Sequence, residues 1–117
     1  MEERRWRRSA SPREALRILL ENVRGRSHVT SIAVVDSRGR VISGIGEPRE
    51  LAILGIIAGP AADGMLGVTG RRLTDGTDVV SRRFSVEGSP MFLAALGDRV
   101  TRMAEAASGV ERILKTG

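Results

Sequence analysis

The 117-residue sequence contains no cysteine and no tyrosine, and only one histidine, one tryptophan and two phenylalanines. Without cysteine there can be no disulfide framework and no thiolate metal site, and the composition fits a reducing compartment, with the cytoplasm as the default. A single histidine, His28, excludes a His-rich metal site and allows at most one copy of a Ser-His-Asp arrangement. Its place just before the first β-rich stretch makes it a surface or turn residue rather than a catalytic one. Three aromatic side chains are poor lining for a small-molecule pocket. Long apolar runs are lacking as well: Leu51 to Leu66 is broken by Gly55, Gly59, Pro60, Asp63 and Gly64, short of the roughly 20 apolar residues that a membrane span needs. The charged N-terminal residues lead into a charged helix rather than an apolar core, so no secretory signal is expected.

Lysine is nearly absent too. All but Lys115 of the 19 basic residues are arginine, and the net charge is +5. The arginines are scattered singly or in pairs instead of being massed in one stripe, so nucleic-acid binding is not expected. Only Arg4, Arg5, Arg7 and Arg8, around Trp6, are dense. Residues 1–10 lack apolar periodicity and are expected to form a flexible arm, offering at most a weak contact to an anionic surface. Residues 11–117 suffice for one domain with its own core.

Within that domain Ser11, Pro12 and Glu14 form a capping box, and Leu16, Leu19, Leu20 and Val23 repeat at helical spacing. A helix is predicted over residues 12–24. The β-branched stretch Val29–Asp36, the turn Ser37-Arg38-Gly39-Arg40 and the stretch Val41–Gly46 predict an antiparallel hairpin. Pro48 then opens a helix in which Leu51, Ile53, Leu54, Ile56 and Ile57 go almost all the way round, so one side must face the sheet and the other a partner. Gly55 and Gly59, four apart, suit a close backbone approach, and Pro60 is expected to kink or end the helix near Ile56. Val68–Leu73 reads as a short edge strand, Asp75-Gly76 as a hairpin signal, and Asp78–Val86 as a strand with Val80, Phe84 and Val86 on one face. After a turn at Glu87-Gly88-Ser89-Pro90, the run Met91–Leu96 is apolar throughout, as a central strand covered on both faces should be. Gly97-Asp98 is expected to end it, with Asp98 capping a last helix whose stripe is Val100, Met103, Ala107, Val110 and Leu114.

The chain offers little chemistry. Asp36, Asp75, Asp78 and Asp98 fall at turns and element ends, where turn formation and capping already account for them. Gly44-Ile45-Gly46 before a helix has the look of a phosphate-binding turn. The third glycine of that fingerprint is replaced by Arg49, however, and no GxxxxGK[ST] is present. No catalytic residue, metal ligand or cofactor site emerges, and an enzyme is not expected.

The stretch Val29–Gly46 (VTSIAVVDSRGRVISGIG), the apolar helix after Pro48, the segment Phe84–Gly97 (FSVEGSPMFLAALG) and the closing Gly109–Leu114 together resemble the Roadblock/dynein light-chain family, particularly its bacterial members. The resemblance spans about residues 11 to 115. It implies a profilin-like α/β sandwich: a five-stranded antiparallel sheet in the order helix-strand-strand-helix-strand-strand-strand-helix, with the middle helix on one face and the terminal helices on the other. It also implies a homodimer built by packing middle helices and extending the sheet edge to edge, which docks onto a small Ras-like GTPase or a larger scaffold. By this carry-over Leu51, Leu54, Ile57, Ala58 and Ala61 belong to the dimer seam or its margin, and Arg49 to a partner-facing rim. Three other readings remain: a structural dimerisation module within a signalling or cytoskeletal assembly, a profilin-like sensor of a small ligand, and an anion binder led by the Arg-rich arm.

Overall fold

The computed structural model describes residues 12–116, so the Arg-rich arm and the Ser11 cap lie outside the described residues. The elements run α1 (Pro12–Gly25), β1 (His28–Asp36), β2 (Val41–Ile45), α2 (Pro48–Ala62), α3 (Gly67–Leu73), β3 (Val79–Val86), β4 (Ser89–Arg99) and α4 (Met103–Thr116). Every strand pairing is antiparallel, and the sheet order is β2-β1-β4-β3.

The sheet is covered on both faces. Ile32 and Val34 of β1, Leu93 and Ala95 of β4 and Phe84 of β3 meet Leu16, Leu20 and Val23 of α1 and Ala106, Ala107 and Val110 of α4. Their neighbours, Ala33, Val35, Phe92, Ala94 and Leu96, point the other way and meet Leu54 and Ala58 of α2. Strand alternation produces this division, and two-sided burial is why β1 and β4 read as continuous apolar runs. The small Ala33 and Ala94 beneath α2 let that helix lie close to the sheet.

Among the described residues, the expected five-stranded sheet has four strands. Val68–Leu73, read as an edge strand, is the short helix α3. Local hydrogen bonds take the place of sheet pairing there: the Thr74 backbone N–H donates to Gly70 O at 3.2 Å and its hydroxyl donates to Arg71 O at 3.1 Å. Asp75-Gly76 is accordingly a helix exit rather than a hairpin, with φ of 56° and 79° and the Gly76 N–H donating to Arg71 O at 3.0 Å. The hairpin turn between β3 and β4 is tighter than expected. It consists of Glu87 and Gly88 alone, with φ of 52° and 84°. Such positive values at both central residues match the right-handed twist of the flanking strands. Nor does β4 stop at Gly97-Asp98: it runs to Arg99, and α4 begins only at Met103. Between them, Thr101 ties the α4 entrance to the α1 exit through Arg26 O at 2.8 Å and Ser27 Oγ at 3.0 Å.

Pro60 does not end α2, which continues to Ala62. Ile56 and Pro60 are both exposed, so the Ile56 carbonyl that loses an N–H partner faces water, where the loss costs little. Among the described residues, no helix is long and apolar enough to cross a membrane.

Candidate functional site

Helix α2 is apolar on two sides, and the structure separates them. Leu54 and Ala58 are fully buried against the sheet, and Ile57 is only 2% exposed. Leu51 packs partly against the same cluster, and Ala61 is half-buried. Of the five residues chosen from helical spacing for a dimer seam, three therefore lie closed within the protomer, and Leu51 and Ala61 keep some surface. The opposite side of the helix carries Arg49, Ala52, Ile56 and Pro60, all exposed, with Ile53 and Gly59 half-buried. Ile56 stands out at 63% exposure. Periodicity alone could not separate the two sides, because both are apolar; only the position of the sheet does.

The glycines of α2 have partners within the protomer. A Cβ on Gly55 would stand 2.7 Å from Gly39 O, so the β1–β2 turn lies directly on the helix backbone. One on Gly59 would meet the Phe92 ring at 3.6 Å. Close approach does require small residues, but the approaching backbone belongs to the chain's own turn. The same holds before α2. Gly44 sits under Leu51 and Gly46 against Ser31, and Glu50, in the first turn of α2, accepts hydrogen bonds from the hydroxyls of Ser31 and Thr30. The Glu50 carboxylate thus ties the first turn of α2 to β1.

Beside the outer face of α2, a groove of about 700 Å³ is floored by Val35 and Phe92 and walled by Ile56, Gly59, Pro60 and Met65. Arg83 spans one side, paired with Asp63 at 2.9 Å and stacked over the Phe92 ring with 5.4 Å to its centroid. Asp36 closes the other side, accepting from the backbone N–H groups of Arg40 at 2.8 Å and Arg38 at 2.9 Å and from Arg40 Nε at 3.0 Å. The Arg40 amide is the largest influence holding the Asp36 carboxyl below its ordinary range; desolvation opposes it, and the Arg40 guanidinium and Arg38 amide reinforce it. Both carboxylates at the groove are thereby committed to local partners.

His28 is exposed at the first position of β1. Among the described residues, no three of His, Cys, Asp and Glu are grouped as a metal site requires. The large apolar side chains left exposed are Ile56 on the outer face of α2, Met65, Val68 and Leu73 within residues 65–73, Ile18 of α1, and Val41 and Ile42 of β2.

No family profile and no curated protein matches the chain. Among solved structures, Myxococcus xanthus MglB aligns over 91% of this chain and 96% of its own with a TM-score of 0.51 and 14% identity. A Roadblock/LC7 domain from Streptomyces avermitilis aligns over 86% and 92% respectively, with a TM-score of 0.43 and 19% identity. At 14% identity the likeness to MglB is one of fold, and the chain's own layers, with α2 on one face of the sheet and α1 and α4 on the other, follow the order that the sequence resemblance implied. The chain has the fold of a Roadblock domain, with the short helix α3 where a fifth strand was expected.

Proposed function

We propose that the protein is a non-catalytic, cytoplasmic homodimer that regulates or holds a small Ras-like GTPase. The observation that carries this reading is the outer face of α2: a row of Ala52, Ile53, Ile56 and Pro60 on a helix whose other side is already occupied by the sheet. Apolar side chains arranged in one exposed row mark an association surface, and a two-fold axis lets the same row cover itself. The seam is therefore assigned to Ala52, Ile53, Ile56 and Pro60, with Leu51 and Ala61 at its margin. Leu54 and Ala58 support it from beneath as the helix's anchor on the sheet, and Ile57 is buried within the protomer. Arg49, exposed at the start of the same helix, belongs to the rim offered to the GTPase. The GTPase itself comes from the family resemblance, to which the fold likeness lends support.

The test is light scattering of the full chain beside its Ile56→Glu variant, followed by titration with Ras-like GTPases of the same organism, loaded with GDP or a non-hydrolysable GTP analogue. A dimer that the substitution dissociates, together with binding to one nucleotide state, is expected. A chain that stays monomeric at high concentration refutes the seam. A dimer that ignores every GTPase in both states turns the assignment to a structural dimerisation module.

A further inference from the structure

The outer face of α2 is ordered along its length. Arg49, Ile56 and Asp63 are each seven residues apart, and Ala52, Ile53, Gly59 and Pro60 fall between them at spacings of three and four, so they share one stripe. Every one of them keeps surface in the protomer: Ile53 and Gly59 are half-buried and the others exposed. Opposite charges stand at the two ends. Arg49, in the first turn, has no ion-pair partner among the described residues. Asp63, the C-cap residue, is held by Arg83 at 2.9 Å, yet its side chain is 47% exposed, and a carboxylate has lone pairs for a further donor.

This stripe complements itself in one direction only. A two-fold axis through Ile56 with antiparallel helices sets each residue opposite the one equally far on the other side of Ile56. Arg49 then meets the partner's Asp63, Ile53 the partner's Gly59 and Ala52 the partner's Pro60, and each contact occurs twice. Charge meets opposite charge, and the branched Ile53 meets a residue with no side chain. Parallel helices would instead set Arg49 against the partner's Arg49 and Asp63 against the partner's Asp63, and would align the two macrodipoles. The charged ends are within reach. Seven residues span about 10.5 Å of helix; with a crossing angle of about 20° and a separation of about 9 Å at the crossing, the axes are still only about 10 Å apart at that distance, which arginine and aspartate side chains together bridge.

We propose that the α2 helices of two copies cross antiparallel at Ile56, and that Arg49 of each copy pairs with the partner's Asp63. This rests on the seam assigned above and adds its direction and register. The rim that Arg49 offers is then built from both copies, because the partner's Asp63 orients it, and the Asp63–Arg83 pair beside the groove is part of the seam.

The absence of cysteine lets disulfides report the register. Ala52→Cys and Pro60→Cys variants of the full chain, both at exposed positions, are oxidised separately and as an equal mixture, and the products are identified by mass. A disulfide needs Cβ atoms about 3.5–4.5 Å apart. The mixture is expected to give the 52–60 disulfide, with little cross-linking of either variant alone. In sedimentation equilibrium, Arg49→Ala should raise the dissociation constant roughly threefold to tenfold, as two exposed ion pairs are lost. In an Asp63→Ala background it should raise it no further, whereas in an Arg83→Ala background its effect should persist. Disulfides of 52 with 52 and 60 with 60, no cross-linking in the mixture, or equal effects of Arg49→Ala with and without Asp63 overturn the proposal. If Ile56→Glu still dissociates the wild-type dimer in those cases, the seam stands and only its direction fails; a chain that is monomeric throughout overturns both.

Discussion

Ile56 and Ile57 are neighbours of the same residue type on one helix, and alanine at each is expected to do opposite things. Ile56 is 63% exposed in the protomer and Ile57 2%. Full burial of an isoleucine is worth about 1.5–3 kcal/mol. With more than half of the Ile56 side chain still in water, and alanine retaining Cβ, about 1 kcal/mol per protomer is left to be lost when the seam closes. The substitution occurs in both copies, so Ile56→Ala costs the dimer about 2 kcal/mol and raises its dissociation constant roughly 30-fold, with little effect on the fold of each protomer. At Ile57 the side chain is already inside, and truncation should lower protomer stability by about 2–5 kcal/mol. Sedimentation equilibrium reads the first quantity. Urea unfolding reads the second, at one fixed low protein concentration because association adds apparent stability by mass action. An Ile56→Ala dimer as tight as the wild type, or unfolding midpoints lowered equally by both substitutions, would refute the division of α2 into a sheet-facing side and an associating side.

Three further outcomes follow from the geometry. Gly55→Ala places a Cβ 2.7 Å from the backbone oxygen of Gly39; the helix gains about 1 kcal/mol in propensity, but overpacking costs about 1–3 kcal/mol, so urea unfolding should show net destabilisation, and a more stable variant contradicts the close contact. Glu87→Asn should stabilise by about 0.5–1 kcal/mol, because Glu87 holds φ at 52°, a region asparagine tolerates far better; a lowered thermal midpoint counts against this. The Asp36 carboxyl titrates below its ordinary 3.8 in the folded chain, so its charged form stabilises the fold above that value, and the contribution fades as pH falls through the folded pKa. Asp36→Asn should therefore be less stable than wild type at neutral pH, with the gap closing in acid; a pH-independent gap in urea midpoints would show that the carboxylate's charge is not what matters.

Much of the fold was legible because local signals and burial agreed. The α1 stripe of Leu16, Leu20 and Val23, the hairpin around Asp36 and Gly39, and the apolar run from Met91 to Leu96 all occupy the places their periods indicated. Misreadings fell where one local pattern served two structures. The Asp75-Gly76 pair supplies two residues of positive φ, which a hairpin and a helix exit both need. Val68–Leu73 has the composition of a poor strand and of a poor helix alike, and hydrogen bonds within the segment decided between them. The Gly55–Gly59 spacing announced a close backbone contact but not whose backbone it was.

By itself, then, the sequence determined the types of the longer helices and strands, the absence of thiolate chemistry and the existence of a middle helix too apolar to stand alone, since these depend on composition and on periods within a few residues. Tertiary structure decided which side of that helix is interior and which is surface. That outcome depends on where distant strands lie: Ala33 and Ala94 are 61 positions apart in the chain but paired in the sheet beneath α2, and no pattern local to residues 48–62 encodes that neighbour.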